Sequence, residues 1–218
     1  MPRLAVLHTV ASLVDTFKPL LTRTYPRLRC FHMLDESLLQ DLLELGSSAN
    51  IDRRVAMHAM VAQDAGASVM LFTCSSTSPA IDIARQLVDI PILKIDDPMA
   101  ERAVELGKRI GIVCTTKSTQ GPSENLIRSY AAKKGKLVEI VSALQSDAYE
   151  ARLAGRQDRH DEIVTNAALA LAETCDVIVL AQASLAHLAQ PLQNRLPIPV
   201  LSSPELCVAA IAPFVAGT

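Results

Sequence analysis

The chain has 218 residues, half of them apolar and 3% aromatic, with a net charge of -2. That is enough material for one large domain or two small ones with a sizeable buried core. The near-neutral balance excludes a broad basic face for nucleic acid and an acidic tail, and no apolar stretch approaches the ~20 residues a membrane span needs.

Leu4 to Leu7 reads as a buried strand with His8 and Thr9 at its carboxyl end. These two polar residues, with Asp15 soon after, also break the pattern of an export leader. A helix follows from Leu13 to Thr24, then a strand from Leu28 to Leu34 closed by Asp35. Leu38, Leu39, Leu42, Leu43 and Leu45 form a helical run that Gly46 stops, and Asn50 is the candidate cap of the next helix, which extends to Gly66.

Val69 to Phe72 is the central strand of the first half, and it ends abruptly in Thr73-Cys74-Ser75-Ser76-Thr77. Ser78 and Pro79 read as the cap and first residue of a helix, which would set a helix N-terminus beside the Cys74 thiol and favour its thiolate. Ligands of open α/β sheets bind beyond the carboxyl ends of the strands, so Cys74 is the first candidate for chemistry. Asp35 and Asp97 also follow strands and are weaker candidates.

Further along the chain, strands are expected at Ile90 to Leu93, Ile110 to Val113, Leu137 to Val141, Val177 to Leu180 and Ile198 to Leu201. Helices are expected from Pro98 to Leu106, Gln120 to Lys134, His160 to Cys175 and from Pro204 onward. A loop and short helix fill Ser142 to Arg156. Alternating strands and helices at this density imply parallel sheets flanked by helices.

An internal repeat organises these elements. Ser68 to Phe72 matches Asp176 to Leu180, and Ile90 to Leu93 matches Ile198 to Leu201, both 108 residues apart, while Leu4 to Leu7 matches Ile110 to Val113 at 106. Two pseudo-symmetric lobes are therefore expected, 1–106 and 107–218, with the C-terminal helix of each able to cross to the other, and a cleft between them. The repeat partner of Cys74 is Gln182. Hydroxyls that could hold a carboxylate are Thr9, Ser75, Ser76 and Thr77 in the first half, and Thr115, Thr116, Ser118, Thr119 and Ser184 in the second. Turn formation and helix capping are the other uses of such residues.

The five cysteines are widely spaced and form no Cys-x-x-Cys pair, which argues against a disulfide framework or a cysteine zinc site and fits a reducing cytosol. No glycine-rich phosphate loop is present.

His8-Thr9, the turn Thr73 to Thr77, the strand Ile110 to Val113 with its threonine-rich turn, and Val179-Leu180-Ala181-Gln182-Ala183-Ser184 together resemble the aspartate/glutamate/hydantoin racemase superfamily over nearly the whole chain. The resemblance implies two α/β lobes, a cofactor-free and metal-free site, a small carboxylate substrate and a homo-oligomer, dimer or higher. It also implies one catalytic cysteine per lobe, one thiolate removing a proton and the other thiol returning one to the opposite face. Cys74 matches the first. Gln182 stands where the second would be, and Ser184 stands where glutamate racemases have a histidine. An amide holds substrate but does not exchange protons near neutral pH, so His8 is the candidate second proton donor. The family's single-cysteine relatives, which decarboxylate or isomerise diacids, and a carboxylate-binding protein without catalysis are the competing readings.

Overall fold

The computed structural model describes residues 2–215. They form β1 (Arg3–His8), α1 (Ser12–Thr24), β2 (Arg29–Leu34), α2 (Ser37–Leu45), α3 (Ala49–Asp64), β3 (Val69–Phe72), α4 (Ile81–Ala84) and β4 (Ile92–Lys94). After these come α5 (Asp97–Leu106), β5 (Arg109–Cys114), α6 (Lys117–Lys133), β6 (Glu139–Leu144), α7 (Ser146–Leu153) and α8 (Gln157–Ala172). The chain continues through β7 (Val177–Leu180), α9 (Ala189–Gln193), β8 (Val200–Ser202), α10 (Ser203–Ala209) and α11 (Ala212–Val215).

The strands form two four-stranded parallel sheets, ordered β2-β1-β3-β4 and β6-β5-β7-β8. Each belongs to its own compact unit: unit 1 runs to Ile95 and resumes at Pro204, and unit 2 runs from Asp96 to Ser203. The boundary thus falls before α5, which packs on α6, β7 and β8 of unit 2. The helix α10 belongs to unit 1, where the Tyr25 hydroxyl donates to the Val208 carbonyl at 2.9 Å. Inside unit 2 its first and last residues are joined, the buried Ser203 hydroxyl donating to the buried Asp96 carboxylate at 2.6 Å.

The repeat read from the sequence is reproduced in the hydrogen bonding of each unit. Leu7 pairs with Phe72 in one sheet, and Val113 with Leu180 in the other. Just past those pairs, Thr73 N–H donates to the Leu7 carbonyl and Ala181 N–H to the Val113 carbonyl, each at 3.0 Å. The edge strands agree as well, since Met70 N–H reaches the Pro91 carbonyl and Ile178 N–H the Pro199 carbonyl, both at 2.9 Å.

Apolar side chains on both faces of the central strands explain why the sheets are covered by helices. Leu4 and Val6 alternate with Ala5 and Leu7, all fully buried, and the second pair joins Met70, Phe72, Val55 and Ala59 in the core of unit 1. Val113, Ile178 and Leu180 meet Val164 and Ala168 of α8 in unit 2. Each large side chain buried in this way contributes roughly 1.5–3 kcal/mol.

Several boundaries differ from the sequence reading for identifiable reasons. Ser48, not Asn50, caps α3, its hydroxyl accepting from Ile51 N–H at 3.4 Å, while Asn50 lies inside the helix and takes Arg53. The helix α6 starts three residues early because Lys117, Ser118 and Thr119 form a polar first turn, and Pro122 is accommodated within it. The strand β6 begins at Glu139 and extends to Leu144, leaving Leu137 93% exposed. Gly46 and Gly66 end their helices with φ of 78°, a backbone state that suits glycine. Gly107 has ordinary extended backbone, and its role is close approach, since a Cβ there would fall 2.7 Å from Asp176 Cβ.

Candidate active site

The site residues read from the sequence gather in two sets, one per unit, each at the carboxyl ends of the two central strands. In unit 1 these are His8 and Thr9 after β1, and Cys74, Ser75, Ser76 and Thr77 after β3. In unit 2 they are Thr115, Thr116, Ser118 and Thr119 after β5, and Gln182 and Ser184 after β7.

Cys74 is a free thiol, 6% exposed, at the first bend beyond β3. The helix expected to start at Ser78 and Pro79 is broken at its beginning. Ser78–Ala80 is a 3-10 turn and α4 has four residues, with Thr77 in the cap position and no side-chain cap bond. A single turn carries little of the dipole of a full helix, so the helix-terminus argument for a thiolate loses its structural basis. What the turn provides instead is hydroxyls. Among the described residues, Thr9 and Thr77, each 2% exposed, have a buried hydroxyl oxygen without a hydrogen-bond partner. A buried polar group left unpaired is costly.

His8 is fully buried and both of its ring nitrogens are occupied. Nδ1 lies 2.9 Å from Thr73 Oγ1 and Nε2 lies 2.8 Å from His32 Nδ1 on β2. The Thr73 hydroxyl donates its one proton to the Leu7 carbonyl at 3.1 Å, so His8 Nδ1 carries the hydrogen and Nε2 accepts from His32 Nδ1–H. His32 Nε2 is then an acceptor, 3.8 Å from the Cys30 thiol. Burial, and then the neighbouring His32, push His8 down to about 4, so the ring is neutral at pH 7. Burial and then Lys18 lower His32, and burial raises Cys30 to about 11. The outer end of the chain, Cys30 and His32, lines a small pocket with Lys18, Thr22 and Tyr25. His8 would meet a substrate directly only by giving up one of its two partners. His32 was not anticipated, because its role depends on β2 lying beside β1.

Gln182 is partly an internal clamp. Its Oε1 accepts from Thr115 N–H at 2.7 Å and from the Thr115 hydroxyl at 2.9 Å. The backbone N–H is an obligatory donor, which fixes the orientation of the amide and leaves the NH2 group as the free end. The other hydroxyls of this set bond to one another, Thr116 to Thr119 at 3.0 Å and Ser118 to Thr116 at 3.1 Å, so they shape the start of α6. Ser184 carries its carbonyl to His187 Nδ1 at 3.1 Å. Replacing Gln182 with leucine leaves the Thr115 N–H and hydroxyl unpaired, and urea unfolding is expected to show a loss of roughly 1–3 kcal/mol. Unchanged stability would mean that the clamp carries no weight.

Asp35 is neither solvated nor free for substrate. It is paired with Arg54 at 3.0 Å and His58 at 2.8 Å, and it accepts from Ser37. Against the desolvation that raises it, hydrogen bonds from Ser37, His58 and Arg54 hold its carboxyl down to about 2. Asp97 opens α5.

Two repeated α/β units, each with a polar rim at the ends of its central strands and one of them bearing a thiol, define the class. The chain belongs to the Asp/Glu/hydantoin racemase family, whose profile matches residues 5–211. Among solved structures it is similar to allantoin racemase from Klebsiella pneumoniae, at 19% identity and a TM-score of 0.75, covering 99% of this chain and 88% of that one. Glutamate racemase from Bacillus anthracis matches at 16% identity and a TM-score of 0.76, over 98% of this chain and 81% of that one. An arylmalonate decarboxylase variant matches at 17% identity and a TM-score of 0.63, over 99% and 94%. At these identities the likeness is one of fold. No curated protein sequence matches the chain significantly.

Proposed function

We propose that the chain is a cofactor-independent enzyme that acts on a small carboxylate through Cys74, by proton transfer at the α-carbon. The observation that carries this reading is the unpartnered Thr9 hydroxyl at the end of the strand next to that of Cys74. By the repeat, Thr9 corresponds to Thr115 and Cys74 to Gln182, and in unit 2 the Thr115 hydroxyl and N–H hold the Gln182 carbonyl oxygen. In unit 1 the equivalent side chain is a short thiol, so Thr9 is left to bind an oxygen of the substrate. The carboxylate accepts from Thr9 and Thr77, the Cys74 thiolate takes the α-proton, and the thiol so formed returns one.

His8, neutral and hydrogen-bonded to Thr73 and His32, becomes a proton donor at the site only when one of those two bonds opens. The replacement of the second cysteine by Gln182 favours chemistry on one face, and the same observation supports decarboxylation as the second reading, since protonating a carbanion needs one thiol.

Incubation in D2O with single enantiomers of small carboxylates tests the proposal. Exchange of the α-hydrogen with retention is expected, with little mirror-image product from aspartate or glutamate. Inversion as fast as exchange would require a second base and sink the one-face mechanism. Release of CO2 from malonates without exchange would favour the decarboxylase reading.

A further inference from the structure

In unit 2 the first turns of α8 place Gln157, His160 and Asp161 at the i, i+3 and i+4 positions of one helix face. His187, from the 3-10 segment Ala183–Leu188, completes a cluster with them. His160 Nδ1 lies 2.7 Å and His187 Nε2 2.9 Å from the same Asp161 oxygen, and the three atoms lie within 4.8 Å of one another. The Gln157 amide is 2.7 Å from that oxygen and 3.3 Å from His160 Nδ1. Arg159 of the same turn is paired with Glu162 at 2.7 Å.

Hydrogen bonding alone does not satisfy this cluster with neutral rings. His187 Nδ1 faces the Ser184 carbonyl at 3.1 Å, which can only accept, so that nitrogen carries the proton of a neutral ring. Its Nε2 is then a bare lone pair directed at an anionic oxygen 2.9 Å away. A proton between the two atoms, as in an ion pair, or a metal ion held by both removes the conflict. An N–H donated to a backbone carbonyl is also the outer contact by which metal-ligating histidines fix their tautomer. His160 is 1% exposed and held in place, while the His187 side chain is 46% exposed and leaves a path from solvent.

We propose that His160, Asp161 and His187 bind a divalent transition metal ion, zinc before others, with Gln157 Oε1 as fourth ligand once its amide is turned over. Two imidazoles and a carboxylate suit zinc, whereas calcium and magnesium call for oxygen donors throughout. The present contacts must open to about 3.3 Å, the edge of a tetrahedron with ligands about 2.05 Å from the ion. For the two contacts to Asp161 that is an opening of about half an ångström, and the His160 and His187 nitrogens, within 4.8 Å of each other, come to the same separation by movement of the partly exposed His187 side chain. The cysteine spacing that argues against a thiolate zinc site has no bearing on this one. The ion ties the segment carrying Ser184 to α8, and its role is structural, separate from the proton transfer assigned to Cys74.

The full chain, stripped with a chelator and kept reduced with a phosphine, is titrated with zinc against a chromogenic competitor. One equivalent per chain with a Kd below about 1 μM is expected. His187→Ala and Asp161→Asn, both at partly exposed positions and checked for folding by circular dichroism, are each expected to weaken binding at least about 100-fold, beyond what loss of an outer partner does. Cobalt substitution should give a visible d–d band without thiolate charge-transfer absorption. A Kd weaker than about 100 μM, undiminished binding by His187→Ala, or a thiolate band would each overturn the assignment.

Discussion

Cys74→Ser is expected to lower kcat/KM for the exchange or decarboxylation reaction by at least about 10³-fold, a loss of about 4 kcal/mol in transition-state stabilisation. The substitution keeps the size of the side chain close to native at a site that is 6% exposed, so the fold should survive it. What changes is the acid. A hydroxyl has no accessible anion near neutral pH, and without a base aimed at it serine neither removes nor returns an α-proton at a useful rate. Cys175→Ser provides the control, because burial raises that thiol and it precedes β7 rather than following it. Iodoacetamide inactivation should likewise follow loss of Cys74, since Cys30 at about 11 and Cys114 at about 12 remain protonated at pH 8. Retained turnover in Cys74→Ser would remove the thiol from the mechanism while leaving the unpartnered Thr9 and Thr77 hydroxyls to be explained.

The second large effect is on stability against acid. His8 titrates near 6.5 when unfolded and at about 4 when folded. A base whose folded value is lowered binds its proton first in the unfolded chain, so its contribution is complete above pH 6.5 and is lost as pH falls toward 4. The loss amounts to roughly 3 kcal/mol, at up to about 1.4 kcal/mol per pH unit. The groups around the ring agree with that sign. Phe17 of α1 packs 5.8 Å from it, His32 of β2 is itself lowered, and Lys18 adds positive charge beside His32. Asp35 acts in a separate window, because a carboxyl held at about 2 loses its contribution only below about pH 4. Urea unfolding between pH 7.5 and 4.5 should therefore show a steepening decline in the parent, and His8→Asn should flatten it from a lower starting stability. Parallel pH curves for the two proteins would show that the histidine pair does not carry this dependence.

Much of the architecture was legible because it rests on local signals. Buried strands announce themselves as short apolar runs, and the 108-residue offset recurs in the ladders, where Met70 lies opposite Ile92 and Ile178 opposite Val200. The turn at Cys74 was legible for the same reason. What failed was context. Ser78-Pro79 satisfies the rule for a helix start, yet the chain uses it for a 3-10 turn and one turn of helix. The engagement of His8 by both Thr73 and His32 follows from the order β2-β1-β3, which no periodicity encodes. Gln182 was recognised by position, but the half of its amide turned inward to Thr115 depends on the register of β5 against β7. The Gln157, His160 and Asp161 face was not read from the sequence, where the helix was expected to begin at His160, and only the fold supplies His187.

The Asp96–Ser203 hydrogen bond has a consequence for how this chain can be cut and rejoined. It holds the first and last residues of one continuous unit side by side, with both buried, so unit 2 is an uninterrupted cassette set into a split host. A cassette whose ends meet can be excised from the gene and the host resealed across Ile95 and Pro204 with a short linker. New termini can equally be opened in an exposed loop such as that at Gly135, once a short linker rejoins the old ends. The second repeat thus keeps its own ends together, while the first is completed in sequence by the final helices.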